Sequence, residues 1–333
     1  MPSVSVLLPF RDAAATLAEA VDSVLAQTGV DFELLAIDDG SSDGGGRMVE
    51  RLVERDRRVR SLKTGPRGLV HALDFGAQLA KGRYFARMDA DDVCLAGRFA
   101  KQLAALEADP RLGLVGTCVE AFPSDAVEEG LARYVDWQNA VLTPEDHRRE
   151  LFVESPLCHP SVMMRRDAFH AVGGYRDPAW AEDYDLWLRF DAAGYAMAKV
   201  PEVLLRWRHR PGRLTFTDPR YAENAFREAR AAFLPRRLQG ETRPVTIWGA
   251  GPTVKRMLRA LEPHGFKAIR FIDIDPRKVG GEARGLPVTG PENLSPQCDF
   301  VLVAVGARGA RSENRDALNA KRFVEGADFL CVA

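Results

Sequence analysis

The stretch Arg87-Met88-Asp89-Ala90-Asp91-Asp92 decides how this chain is read. It follows Tyr84-Phe85-Ala86, a short apolar run with strand character, so three carboxylates cluster where a strand is expected to end. In open α/β sheets, ligands gather outside the carboxyl ends of strands. Acidic side chains this close repel one another unless a cation or solvent neutralises them. Hard oxygen ligands of this kind suit Mg²⁺ or Mn²⁺. By itself the triplet supports two readings: a metal–diphosphate site, or a solvated acidic turn capping a helix that starts near Arg98.

The flanking sequence favours the first. Val4 to Leu8 has the character of a buried strand and stops at Pro9, which cannot donate to a ladder. A helix from Thr16 to Gln27 follows, because Leu17, Ala20, Val21, Val24 and Leu25 share one face. Phe32 to Ile37 reads as a second strand running into Asp38-Asp39-Gly40-Ser41-Ser42-Asp43, a polar turn. Met48, Val49, Leu52 and Val53 mark a second helix, and Val59 to Leu62 a weak third strand. A helix from Leu69 to Ala80 then leads into the strand before the triplet. This βαβαβαβ order predicts an α/β fold with a largely parallel sheet and helices on both faces. If neighbouring parallel strands hold Asp38-Asp39 and the triplet, the two face one crevice; taken alone, Asp38-Asp39 reads equally as a plain helix cap.

On these residues the resemblance is specific. Ser5-Val6-Leu7-Leu8-Pro9, Glu33-Leu34-Leu35-Ala36-Ile37-Asp38-Asp39-Gly40-Ser41 and Gly82-Arg83-Tyr84-Phe85-Ala86-Arg87-Met88-Asp89-Ala90-Asp91-Asp92 match, in order and spacing, the family 2 inverting glycosyltransferases of the GT-A fold. The resemblance covers Val4 to Phe122. It implies that Pro9, Phe10 and Arg11 line a nucleoside pocket and that Asp39 accepts a hydrogen bond from the base. It implies that Asp89 lies near the ribose and the metal, that Asp91 ligates the metal, and that Arg67 lies on the diphosphate side. Asp74 stands where the family often has Asn, a departure on a helix surface.

Arg98 to Ala108 reads as an amphipathic helix and Leu112 to Cys118 as another strand. Phe122 to Glu154 is charged and irregular, an acceptor-facing insertion by this reading. Cys158 to Arg166 resumes a family-like strand, in which His159 is open to two roles, an acceptor-site residue or a satisfied structural histidine. Glu182-Asp183-Tyr184-Asp185 opens a helix, where acids are favoured by the dipole. The stretch also resembles the family's Glu-Asp motif, which makes Asp183 the general base and gives Glu182 an orienting role. Asp185 and Arg189, four apart, are expected to pair. Arg208 and His209, at the end of Leu204 to His209, match a family position near the diphosphate or metal.

The 333 residues imply about two domains. We expect a glycosyltransferase domain over 1–218, a basic helix and linker over 219–243, and a small Rossmann-like domain over 244–333. In the last, strand Pro244 to Trp248 leads into Gly249-Ala250-Gly251-Pro252-Thr253-Val254, and strand Ile269 to Ile272 ends at Asp273-Ile274-Asp275. An acid about 20 residues past the glycines is where a ribose-binding carboxylate is expected, but Val254 replaces the third glycine of the fingerprint. A nucleotide or nucleotide sugar, NAD, or no ligand all remain open there.

The net charge of −1 gives no global field for nucleic acid, and five scattered cysteines without CxxC spacing fit a reducing compartment. Met1 to Phe10 has no positive n-region, and no apolar run approaches the roughly 20 residues that span a bilayer. These features predict a cytoplasmic protein, with the basic helix either packed between domains or docked peripherally on an anionic membrane face. The expected partners are a nucleotide-diphosphate sugar donor and a glycan or lipid-linked acceptor, with Mn²⁺ or Mg²⁺ as cofactor. Two rivals are weaker. A sugar nucleotidyltransferase should carry a Gly-rich basic loop where this chain has Pro9-Phe10-Arg11-Asp12. A non-catalytic nucleotide-sugar sensor or assembly protein has no need of both Asp91 and Asp183.

Overall fold

The computed structural model describes residues 2–307 and 309–333. They form two compact units, Met1–His147 with Pro156–Asp218, and Arg148–Ser155 with Pro219–Ala333.

The first unit is built on eight strands: β1 (Val4–Phe10), β2 (Phe32–Asp38), β3 (Val59–Lys63), β4 (Tyr84–Arg87), β5 (Val93–Cys94), β6 (Leu112–Phe122), β7 (Met163–Arg165) and β8 (Ala196–Arg208). Their order across the sheet is β3-β2-β1-β4-β7-β6-β8-β5. The strands β3, β2, β1 and β4 are mutually parallel. Every residue of β1 and β2 is buried, which explains their near-continuous apolar sequence. β7 runs antiparallel to both β4 and β6, so β6 and its parallel partner β8 point the same way as β4. One edge of the sheet therefore collects the residues after β1, β2, β3, β4 and β8, and those just before β7.

The opposite edge is held by polar contacts that the sequence pattern does not announce. The Ser5 hydroxyl donates to Glu33 Oε1 at 2.7 Å, and the amides of Lys81 and Gly82 donate to Glu33 Oε1 and Ser5 Oγ at 2.6 and 2.8 Å. Arg60 donates to the other oxygen of Glu33 at 2.6 Å. Gly82 enters β4 so close to β1 that an added Cβ would lie 2.6 Å from the Ser5 nitrogen.

One expectation is corrected. The stretch Phe122 to Glu154 is not irregular; it holds helices Glu129–Ala140 and Pro144–Glu150. The first buries only Val135 and Gln138, which left little apolar periodicity to read. Its Asn139 side chain exchanges two hydrogen bonds, each 2.9 Å, with the backbone of Val119 in β6. The helix expected within Pro219 to Leu238 runs over Glu223–Arg237 and belongs to the second unit, burying Ala225, Ala229, Phe233 and Leu234 and packing on helix Pro252–Leu261.

The second unit has strands β9 (Val245–Trp248), β10 (Ala268–Ile272), β11 (Glu282–Ala283), β12 (Leu286–Thr289), β13 (Phe300–Val303) and β14 (Phe329–Cys331) in the order β11-β12-β10-β9-β13-β14. All neighbours are parallel except β11 and β12. Residues 148–155 join this unit through buried charge. Arg315 donates to Glu150 at 2.7 Å and to Glu325 at 2.9 Å, and Arg230 reaches the Val153 carbonyl.

Gly82→Ala should cost about 1–3 kcal/mol, because the contact is with backbone and cannot be relieved by a rotamer change. At about 2–4 °C per kcal/mol for a unit of this size, thermal unfolding of the intact chain reads the loss directly. A melting temperature equal to wild type would show that β4 can shift away from β1 freely.

Candidate active site

The site is assembled from the shared strand edge. After β4 the chain keeps pairing with β1 through Met88, whose amide donates to the Leu7 carbonyl at 3.1 Å, and then turns. That turn brings ligand oxygens of Asp89, Asp91 and Asp92 within 4.8 Å of one another. Each acid is held differently. Asp89 pairs with the buried Arg87 at 2.5 Å, while Asp91 pairs with Arg210 at 2.8 Å. Asp92 is buried and accepts the Arg208 amide on Oδ1 at 2.7 Å, and its Oδ2 is buried without a hydrogen-bond partner.

The electrostatics follow from this packing. Burial, with Asp89 and Asp91 alongside, pushes the Asp92 carboxyl well above the usual carboxylate range. Burial works the same way on Asp89, but Arg87, His159 and Arg213 outweigh it and hold that group low. Three clustered oxygens, one orphaned and buried, form a donor set that fits a hard divalent cation. Asp89, Asp91 and Asp92 are the residues that would hold it.

The basic wall opposite comes from the end of β8. Arg208 donates through Nε to the Asp91 carbonyl at 2.6 Å and also pairs with Glu19. Arg213 donates to the Arg208 carbonyl at 2.6 Å and stacks over Trp207, 4.4 Å from the ring centroid. Arg210 and Arg213 were not singled out from the sequence. Their signal was the run Arg206-Trp207-Arg208-His209-Arg210 ending one strand opposite an acid triplet ending another. His209, singled out instead, packs its ring against Trp207 and Phe216, at 5.4 and 5.5 Å between centroids, and its amide donates to the Phe122 carbonyl. Among the described residues it makes no ion pair with the acids.

At the end of β1, Pro9 and Phe10 are buried, Phe10 in the hydrophobic core, and Arg11 is exposed. Asp39 is 5 % exposed and fully engaged. Its Oδ1 accepts the Arg67 amide at 2.9 Å and the Thr64 hydroxyl at 3.1 Å, and its Oδ2 accepts the Gly68 amide at 2.9 Å. The carboxylate thus shapes the loop after β3 and sets the exposed Arg67 at the rim. Asp12 plays a like part, accepting the Ser42 amide at 2.7 Å.

Helix Glu182–Ala192 brings the remaining acids. Glu182 is buried with its Oε1 3.6 Å from His159 Nδ1, while His159 Nε2 meets the Tyr175 hydroxyl at 2.9 Å. Asp185 and Arg189 form the expected pair, both buried, at 2.7 Å. Asp183 accepts the Tyr184 amide at 2.7 Å. Burial first, then the neighbouring Glu182, lift its carboxyl to about 6, against the pull of His159. His159 acts electrostatically on both Asp89 and Asp183, and both acids act on the buried Tyr175, so the two acidic stretches share one polar interior. Tyr175 gave no sequence signal beyond its place after Gly173-Gly174.

The sequence profile described as Glycosyl transferase family 2 matches residues 5–173. The chain belongs to this family. Among its family relatives, EpsE of Bacillus subtilis (strain 168), whose name assigns it as a glycosyltransferase, is 32% identical over 215 residues, covering 62% of this chain and 73% of its own. The UDP-Gal:alpha-D-GlcNAc-diphosphoundecaprenol beta-1,3-galactosyltransferase of Escherichia coli is 27% identical over 213 residues, 62% of this chain and 74% of its own. The fold is that of a solved mannosyltransferase of Pyrobaculum calidifontis, in complex with GDP-Man and Mn2+, with a TM-score of 0.51 at 22% identity over 78% of this chain and 68% of that one. This family 2 chain is a glycosyl-transfer enzyme with a GT-A architecture. Among its described residues, no helix is long and apolar enough to cross a membrane.

Asp39→Asn removes one of two acceptor oxygens and sets an NH₂ against a backbone donor. We expect a local loss of about 1–3 kcal/mol, read as faster hydrogen exchange at the Arg67 and Gly68 amides. Unchanged protection would show that the loop holds its shape without the carboxylate.

Proposed function

We propose that this enzyme transfers a sugar from a nucleotide-diphosphate donor to an acceptor hydroxyl with inversion at the anomeric carbon. The observation that carries the reading is the pairing, in one polar interior, of the clustered Asp89, Asp91 and Asp92 with an acid, Asp183, whose carboxyl is lifted toward neutrality. The donor lies along the strand edge, its nucleoside beside Pro9, Arg11 and the Asp39-shaped loop. Its diphosphate points to Arg67 and to the basic wall of Arg208, Arg210 and Arg213. A Mn²⁺ or Mg²⁺ held by Asp91 and its neighbours would supply Lewis-acid stabilisation of the departing diphosphate.

Asp183 takes the proton of the acceptor hydroxyl as that oxygen bonds to the anomeric carbon from the face opposite the diphosphate. The bond to the diphosphate breaks and its electron pair leaves with the nucleoside diphosphate. One displacement suffices, so no glycosyl-enzyme forms. Glu182 raises and His159 lowers the proton affinity of Asp183, so these two neighbours tune the base. A lipid-linked glycan at a cytoplasmic membrane face is the acceptor we favour, in line with the diphosphoundecaprenol named for the Escherichia coli relative.

Asp183→Asn should retain donor binding and lose transfer by about 10²–10⁴-fold, the usual worth of a positioned base. Retained turnover would remove Asp183 from that role. Because the base must be deprotonated, activity should fall as pH drops through about 6. A rate that stays flat on the acid side of that value would contradict the assignment. Asp91→Ala should abolish the Mn²⁺-dependent rise in melting temperature given by the donor nucleotide. A ligand near 100 times its dissociation constant adds about 2.7 kcal/mol. An undiminished rise would place the cation elsewhere.

A further inference from the structure

The second unit contains a cavity of about 280 Å³ that the transfer reaction does not use. It lies at the carboxyl ends of β9, β10 and β13, lined by Gly251, Thr253, Asp273, Ile274, Val305 and Asn314 among others. The parallel strands run β12-β10-β9-β13-β14, which in chain order is 3-2-1-4-5. In such sheets the connections leave β9 and β13 on opposite faces, and the crevice between them is the natural ligand site.

Four features of the cavity point to one kind of occupant. Gly249 sits at φ +108, with room for no side chain: a Cβ there would meet Val254 and Val305 at 2.9 Å. The turn it makes delivers the chain into helix Pro252–Leu261, whose N-cap Gly251 carries no capping side chain. Pro252 has no amide hydrogen, so the uncapped donors of the first turn are the amides of Thr253 and Val254. A phosphate is the ordinary partner of such an end.

At the end of β10, Asp273 is 7 % exposed and held in place by the Ala250 amide at 3.0 Å, the Asp275 amide at 2.9 Å and Lys278 at 2.8 Å. A carboxylate here, about 20 residues past the glycines, lies where ribose hydroxyls are received. Ile274 follows it at the rim of the cavity with 70 % of its surface exposed. A bare apolar side chain beside a polar cleft is suited to the face of a base. Finally, Asn314 lines the cavity from helix Ala310–Ala320, 7 % exposed, and its Nδ2 is buried without a hydrogen-bond partner. Such a group is costly unless something completes it.

We propose that this cavity binds a nucleoside 5′-phosphate group, either as a mononucleotide or as the first half of a dinucleotide. The phosphate sits on the first turn of helix Pro252–Leu261, the ribose at Asp273, the base against Ile274, and Asn314 closes the polar contacts. Val254, in place of a third glycine, fills the space between helix and strand without blocking the phosphate, because Gly251 faces open space.

The test separates this site from the donor site. The full-length enzyme is titrated calorimetrically in EDTA with AMP, UMP, GMP, NAD⁺ and inorganic phosphate, alongside Thr253→Glu and Asp91→Ala. Glu is well tolerated in a first helical turn but sets a carboxylate where the phosphate is proposed to bind. We expect at least one nucleotide to bind without metal, Thr253→Glu to weaken it by about tenfold or more, and Asp91→Ala to leave it unchanged. Preference for NAD⁺ over every mononucleotide would assign the dinucleotide source, and the reverse the mononucleotide. No nucleotide binding up to about 1 mM, the upper end of ordinary substrate affinities, would overturn the proposal. So would binding that Asp91→Ala removes and Thr253→Glu spares, or inorganic phosphate binding as tightly as any nucleotide.

Discussion

Three carboxylates whose oxygens lie within 4.8 Å of one another repel, and the first unit is arranged around that repulsion. Each acid is offset by a different element. Arg87, at the end of the same strand, holds Asp89; the end of β8 holds the other two, through the Arg210 side chain and the Arg208 amide. The charge is thus balanced across the sheet, between strands that are far apart in sequence. One oxygen, Asp92 Oδ2, is left buried and unpartnered, and a buried acceptor in that state is costly to the folded protein. Binding a cation there would recover part of that cost, which ties the stability of the site to its proposed use.

A second layer of polar groups lies buried in the same unit. His159 joins Tyr175 to Glu182, and its ring packs edge-on against Trp187. Through this layer the helix carrying Asp183 is fixed relative to the turn after β4. The same burial that fixes it also lifts the Asp183 carboxyl, so one packing decision sets both the position and the basicity of the proposed base. Asp39 shows the complementary economy. Its two oxygens are spent on shaping the loop that carries Arg67, so this acid at the end of β2 acts first as a scaffold.

The second unit follows another logic. Its sheet has the strand order of a dinucleotide-binding half, yet its boundary is not a single point in the chain. Residues 148–155 join it across more than sixty intervening residues because Glu150 meets Arg315 and the Val153 carbonyl meets Arg230. A charged segment read as irregular is in fact fixed by the partly buried ion pair of Glu150, by the hydrogen bond to Val153, and by the burial of Leu151, Phe152 and Val153.

Much of this was legible in the sequence. The alternation of apolar runs with helical periodicity marked β1, β2 and β4 and the helices around them, because those strands are buried throughout, whereas β3, buried only at Val59, left a weaker signal. Asp38-Asp39, Asp89 to Asp92 and Glu182-Asp183 stood out because they cluster at strand and helix ends and match, in order and spacing, the motifs of the family. What the sequence could not supply was pairing at a distance. That Arg210 meets Asp91, that Tyr175 meets His159, and that His209 turns to Trp207 and Phe216 instead of the acids depend on side-chain directions fixed only when the sheet closes. The mixed direction of β7 and β5 and the helices within 122–154 were hidden for a related reason. Short or sparsely buried elements carry too little apolar periodicity to be seen locally, and only their neighbours in space decide what they become.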